Sequence, residues 1–210
     1  MVKNTLRKKL TRDMTRSAMQ FLSIILLCAL GTFAYAALDG MARMTRTTIE
    51  TYFEENNLSD FWVTVPSGVD RSVLAKIEAV DGVEEVIART VTDLETTLGN
   101  NINVNLTAYD GAMTINTPLL REGELLDPRD MRGCLIQERF ANVQGLTVGD
   151  RLSVKLGGQE HTFLIRGVVV SPEYVALSMG VAADPEKYGF ILTNSGALSA
   201  LPLTQAVVTI

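Results

Sequence analysis

Little in this sequence could bind a metal or act as a nucleophile. Its 210 residues include one histidine, His161, and two cysteines, Cys28 and Cys134. A lone imidazole with no cysteine or second histidine nearby does not make a zinc set or a nucleophile pair, so His161 reads as a solvent-facing strand residue. The cysteines stand too far apart in character and position to pair: Cys28 lies inside an apolar run and Cys134 in Gly133-Cys134-Leu135-Ile136. Each reads as a small buried hydrophobe, and no disulfide framework follows.

Motifs for nucleotide chemistry are missing too. No Gly-x-x-x-x-Gly-Lys-Ser/Thr loop occurs, and Gly157-Gly158 lacks the lysine and the helix that would follow it. Ser67-Gly68 and Ser195-Gly196 are turn chemistry, and Asp127 with Asp130, like Glu122 with Glu124, reads as solvated loop acid. The expectation is no enzyme, with no catalytic, cofactor-binding or metal residue to name. An extracytoplasmic enzyme would need a polar constellation that linear sequence hides.

What is present is uneven charge. Lys3, Arg7, Lys8, Lys9, Arg12 and Arg16 face only Asp13 in the first sixteen residues, and the remainder is distinctly acidic. The acidic body would repel phosphodiesters, which excludes nucleic acid as a partner. A basic leader before an acidic body is what an inserted protein with an external domain shows.

Ser17 to Leu38 carries no charge, and its most apolar part runs from Phe21 to Leu30. About twenty helical residues at ~1.5 Å rise cross a hydrocarbon core of roughly 30 Å. The cations lie on the N-terminal flank, which predicts that residues 1–16 are cytoplasmic, 17–38 span the plasma membrane, and the body lies outside. A cleavable secretory signal is the alternative, because Ala34-Tyr35-Ala36 followed by Ala37 offers small residues at a cut. Against it, apolar positions continue past this point at three- and four-residue steps: Met41, Met44, Thr48, Ile49, Tyr52 and Phe53. Residues 39–57 therefore read as a stalk helix, or else as an amphipathic helix packed on its own domain. Leu6, Leu10 and Met14 recur every four residues within the basic leader, predicting a helix that lies on membrane lipids.

From residue 58 to 210 the pattern is α+β. Phe61 to Val65 reads as a strand, then a helix capped by Asp70 with Val73, Leu74, Ile77 and Val80 on its core face, then a strand from Val83 to Thr90 that Leu94 to Leu98 could extend. Ile102 to Tyr109 alternates strictly, predicting a strand with one wet face. Thr117 to Pro128 reads as loop, Cys134 to Ile136 as a short buried strand, and Glu138 to Gln144 as a helix closed by Gly145. Arg151–Leu156 and His161–Arg166 form a hairpin about Gly157-Gly158, and Gly167 is a bulge or kink before Val168. Ala176 to Pro185 reads as irregular connection, followed by strands at Tyr188–Leu192 and Ala206–Ile210. Two interleaved subdomains are expected, meeting near Ile102 and Asp184. The end of the sequence in mid-strand suggests the front part of something longer.

Taken in order, Leu6-Arg7-Lys8-Lys9-Leu10-Thr11-Arg12-Asp13, the span ending Ala29-Leu30-Gly31, Tyr52-Phe53, and Asn57 to Val63 resemble the first segment of FtsX-like ABC transporter permeases. Ile77 to Val86, and Gly145-Leu146-Thr147-Val148-Gly149-Asp150 before a strand, resemble their MacB-like periplasmic core domain. The resemblance implies a permease whose first membrane helix extends as a stalk into an external domain, with later membrane helices not included here. It also implies a separate ATP-binding subunit and a second permease copy or half as partners. ATP hydrolysis by that subunit would move the external domain for export or mechanotransmission. The alternative from another class is a single-pass, membrane-anchored binding or sensor module.

Overall fold

The computed structural model describes residues 2–175, 184–198 and 201–210. The chain divides into two compact units, Met1–Thr51 and Tyr52–Ile210. In the first, α1 (Val2–Arg16) carries the leader, and α2 (Ala18–Glu55) runs from the apolar segment through the expected stalk as one helix of 38 residues. Ser17 makes the joint: its amide still donates to the Asp13 carbonyl, while its own carbonyl accepts from Gln20 and Phe21. α2 is the one helix among the described residues long and apolar enough to cross a membrane, and no residue of it is buried by protein. Met41, Met44 and Ile49 remain exposed along its continuation.

Among the described residues of the second unit nine strands form, β1 (Phe61–Thr64), β2 (Glu85–Thr96), β3 (Asn103–Tyr109), β4 (Leu119–Gly123), β5 (Gly133–Gln137), β6 (Arg151–Leu156), β7 (Gln159–Val170), β8 (Tyr188–Asn194) and β9 (Gln205–Thr209). They make one hydrogen-bonded sheet in the order β1-β9-β2-β3-β8-β5-β7-β4, with β6 set against both β2 and β7. The helices are α3 (Arg71–Glu78) and α4 (Glu138–Gln144), and a 3-10 turn spans Ser195–Leu198. The α+β class expected from the sequence is what the chain forms.

The strands expected to divide between two interleaved subdomains are instead joined. β6 pairs with β2 through Glu95 opposite Lys155 and Thr96 opposite Val154, and with β7 along its whole length. These bonds close the ring β2-β3-β8-β5-β7-β6. Closure removes two sheet edges and creates an interior. That interior holds Leu94, Leu106, Ile136, Leu152, Val154, Phe163, Ile165 and Ile191, with Phe140 and Ala141 of α4 packed among them.

The physical reason for one sheet is β2. Its twelve residues outlast a typical strand of about six, so its first half pairs with β9 and its last two residues with β6. A trace of the expected division survives in the packing. Val86 and Ala88 at the start of β2 join Val69, Ala206 and Val208 in a separate core under α3, whereas Leu94 near its end belongs to the ring interior.

Several local expectations hold. The Asp70 carboxylate accepts the amides of Ser72 and Val73 at 2.8 and 2.9 Å, which satisfies two of the free amide donors at the start of an otherwise short helix. Gly145 closes α4 in the left-handed conformation, and Gly157 and Gly158 both take positive φ in the β6–β7 hairpin.

Others are corrected. Val80 is exposed because α3 ends at Glu78 and leaves it in the following turn. Residues 119–123, expected as loop, form β4 against β7; LLREG has no alternation to betray it, and its register shifts between Leu120 and Glu122. The expected wet face of β3 is partly covered, since Thr107 is fully buried. The connection expected at Ala176 to Pro185 falls, from 176 to 183, outside the described residues.

Candidate functional site

Two arrangements in the second unit combine buried or convergent charge. The first begins where α2 ends. Asn57 has positive φ, which turns the chain out of the helix, and its side chain donates to the Thr114 carbonyl at 2.9 Å. The amides of Asn116 and Thr117 donate back to the carbonyls of Asn57 and Asn56. Asn116, itself fully buried, accepts the Ser59 amide at its Oδ1 and donates from Nδ2 to Glu173 at 3.1 Å.

Glu173 in turn receives both Nη groups of Arg89, at 2.5 and 2.6 Å, and Arg89 Nε donates to Gln205. A polar chain therefore links the segment after α2 to β2 and β9 through a guanidinium 2% exposed. Burial alone would lower the pKa of Arg89. The Glu173 hydrogen bonds and charge outweigh this, so the group is held firmly cationic.

Beside this pair, Tyr174 stacks on Phe190 with ring centroids 4.9 Å apart and shares hydrogen bonds of 3.0 Å with Thr107 and Asn105. Burial pushes its hydroxyl up to about 12. Glu173 and Tyr174 thus pin one short segment across the outer face of β3 and β8, which is why Thr107 is dry.

The second arrangement lies on the outside of the ring. A groove of about 510 Å³ is lined by Asp130, Arg132, Arg151, Thr162, Phe163, Leu164 and Arg166. A neighbouring one of about 660 Å³ shares Asp130 and Arg166 with it and adds Glu124, Leu125, Leu126, Asp127 and Arg129.

Arg166 is placed by a register shift. Cys134 of β5 pairs with Ile165 but Leu135 pairs with Gly167, so Arg166 is the extra residue of a β-bulge. Bulges re-aim side chains, and the irregularity expected at Gly167 is here. Glycines make room for it: a Cβ on Gly133 would lie 2.6 Å from Asp130 Oδ2 and 2.8 Å from Arg166 Cγ, and one on Gly167 would lie 2.6 Å from the Glu124 carbonyl.

Asp130 is fully used. Its Oδ1 accepts the amides of Arg132 and Gly133 at 2.9 and 3.0 Å, and Oδ2 accepts Arg166 Nε at 2.7 Å. Partial burial works against its charge, but these hydrogen bonds and the guanidinium prevail and hold the carboxyl below the usual range. Asp130 is therefore not the solvated loop acid its sequence setting suggests. Glu122 and Glu124 are exposed, and Asp127 accepts the Arg129 amide in a turn.

A comparison with protein-family models and another with curated proteins find no match for this chain. Solved structures do resemble it. The extracellular domain of the noncanonic ABC-type transporter YknZ from Gram-positive bacteria is 14% identical with a TM-score of 0.49, over 70% of this chain and 81% of that one. The periplasmic region of MacB from Actinobacillus actinomycetemcomitans is 13% identical at TM-score 0.46, over 70% and 66%. A domain described as that of a permease protein from Porphyromonas gingivalis is 18% identical at TM-score 0.44, over 70% and 69%.

No site residue was expected from the sequence, and the structure explains why both arrangements were missed. Arg89 and Glu173 are 84 positions apart, and Arg151, Arg166 and Asp130 come from β6, β7 and a turn. The one usable signal was Arg166-Gly167 at a bulge position. His161 sits on β7 opposite Val154, half-exposed, and Cys134 is fully buried with its thiol pushed up to about 12 by desolvation. Cys28 lies on the exposed surface of α2, and both cysteines are free. Among the described residues no three His, Cys, Asp or Glu side chains come together to hold a metal ion.

Proposed function

We infer that this chain is the N-terminal part of a membrane permease subunit of an ABC transporter, with Tyr52–Ile210 outside the plasma membrane. The observation that carries the reading is α2. A span takes about twenty residues, so its 38 leave on the order of 25 Å of uninterrupted helix beyond the membrane. The order of the sequence motifs from Leu6 to Val63, and their resemblance to FtsX-like permeases, supports the same reading.

In this account a separate ATP-binding subunit acts on the membrane part, with a second permease copy or half beside it. Movement then reaches the external domain through the stalk. Residues 56–59 are suited to receive it, because the Asn57–Asn116–Glu173–Arg89 chain ties them to the central strands by directional hydrogen bonds. Residues 1–16 lie on the inner membrane face, with exposed Leu6, Leu10 and Met14 in lipid and the cations at anionic headgroups.

The test uses the chain in its own membrane. A nucleotide-binding subunit should copurify in mild detergent, and a maleimide reacting at Met44→Cys should change rate when ATP is added. If no such subunit copurifies and the rate is unaltered by nucleotide, the permease reading fails. A second reading, a membrane-anchored binding module, is favoured by the arginine-lined groove and predicts that a ligand binds without any ATP response.

A further inference from the structure

We propose that the groove lined by Arg132, Arg151 and Arg166 binds an oxyanion, the phosphate or carboxylate of a small ligand whose apolar part lies along Leu164. This inference rests on residues of β6, β7 and the turn before β5 and does not depend on the permease reading.

After residue 16 the chain has thirteen Lys and Arg against twenty-three Asp and Glu, yet three of those cations line one groove with a single carboxylate. That carboxylate is spent. Asp130 meets Arg166 through Nε and two backbone amides, and it makes no ion pair with the side chains of Arg132 or Arg151. Among the described residues neither of these two arginines forms an ion pair at all. The groove holds two positive charges in excess, in a body that is otherwise negative.

Leu164 of β7 is opposite Arg151 on β6 and opposite Gly133 on β5, and its amide donates to the Arg132 carbonyl. Arg132, just before β5, and Arg151 on β6 therefore flank β7 from both sides, roughly 10 Å apart at two strand spacings. Guanidinium stems of that reach can close on one anion from opposite sides. Guanidinium groups match the planar or tetrahedral oxygens of carboxylate and phosphate by paired hydrogen bonds. Arg166 is fixed as the third wall by its bulge, its Asp130 contact and the space left by Gly133 and Gly167. A volume of about 510 Å³ suits a small molecule more than a bare ion.

The experiment titrates inorganic phosphate into the full chain held in nanodiscs of neutral lipid and follows backbone amide resonances. Gly133, Leu164 and Arg151 should shift together and saturably. Arg132→Gln with Arg151→Gln should weaken the response about tenfold or more. Because both side chains are exposed and outside any ion pair, the double variant should keep the wild-type melting temperature. A control variant, Lys8→Gln with Lys9→Gln, removes leader cations and should leave these shifts unchanged.

If the same amides respond only when the nanodisc contains phosphatidylglycerol, the oxyanion is a lipid headgroup and the site stands. If phosphate and headgroup both leave Gly133 and Leu164 unmoved, or if the folded double variant responds like wild type, the proposal is wrong.

Discussion

Glu173→Ala should be among the most damaging single substitutions in the second unit. It removes the acid paired with Arg89, a guanidinium 2% exposed, and also takes the acceptor from Asn116 Nδ2. Breaking one partner of a buried pair leaves an uncompensated charge and costs about 3–5 kcal/mol. For a unit of this size each kcal/mol lowers the melting temperature by roughly 2–4 °C, so a fall of about 6–20 °C is expected. Near-UV circular dichroism of the full chain in detergent, followed against temperature, reads it.

A second variant separates the charge effect from lost packing. Arg89→Met combined with Glu173→Ala removes both charges, and such replacements are often neutral relative to the intact pair. The double variant should therefore be more stable than Glu173→Ala alone, with a coupling of about 2 kcal/mol. A loss below about 1 kcal/mol for Glu173→Ala, or strict additivity of the two changes, would refute the view that this pair anchors residues 171–175.

Gly189→Ala should destabilise strongly, because the new Cβ would lie 2.6 and 2.7 Å from Phe140 atoms fixed in the ring interior, and overpacking of this kind costs about 1–3 kcal/mol. Gly196→Ala meets the flexible end of Met131 instead and should cost little; both are read by chemical denaturation. Asp130 has a folded pKa below its unfolded value of about 4, so its contribution is complete above pH ~4 and is lost as pH falls through the lower, folded value. Asp130→Asn should accordingly flatten the acid limb of a stability-against-pH curve, leaving the part that belongs to other carboxylates. Reversing Lys8, Lys9 and Arg12 to Glu should scramble the orientation of α2, scored by protease protection in sealed vesicles.

The elements that depend on neighbours in sequence were legible before the structure. The Asp70 cap, the Gly145 stop and the Gly157-Gly158 turn are each set by residues within a few positions of one another, and the length of α2 follows from apolar spacing that never breaks. What was hidden depends on closure. Nothing in Arg151–Leu156 announces that its strand also pairs with the end of β2, so the ring and the single sheet could not be read.

β4 was missed because an edge strand with a register shift loses its period of two. The groove was missed for a related reason: its arginines come from β6, β7 and the turn before β5, and look like ordinary solvated cations until β5, β6 and β7 are side by side.

The account stands on α2 as an uncleaved membrane span with the strands outside, and cysteine labelling tests that most directly. With Cys28 replaced by alanine, Cys134 is silent because it is fully buried, so an introduced thiol is the sole target. A membrane-impermeant maleimide applied to intact spheroplasts should label Ser67→Cys at once and Lys9→Cys only after the membrane is opened. Protection of Ser67→Cys in intact spheroplasts, or a mature chain that begins after Ala36 and so lacks position 9, would contradict it.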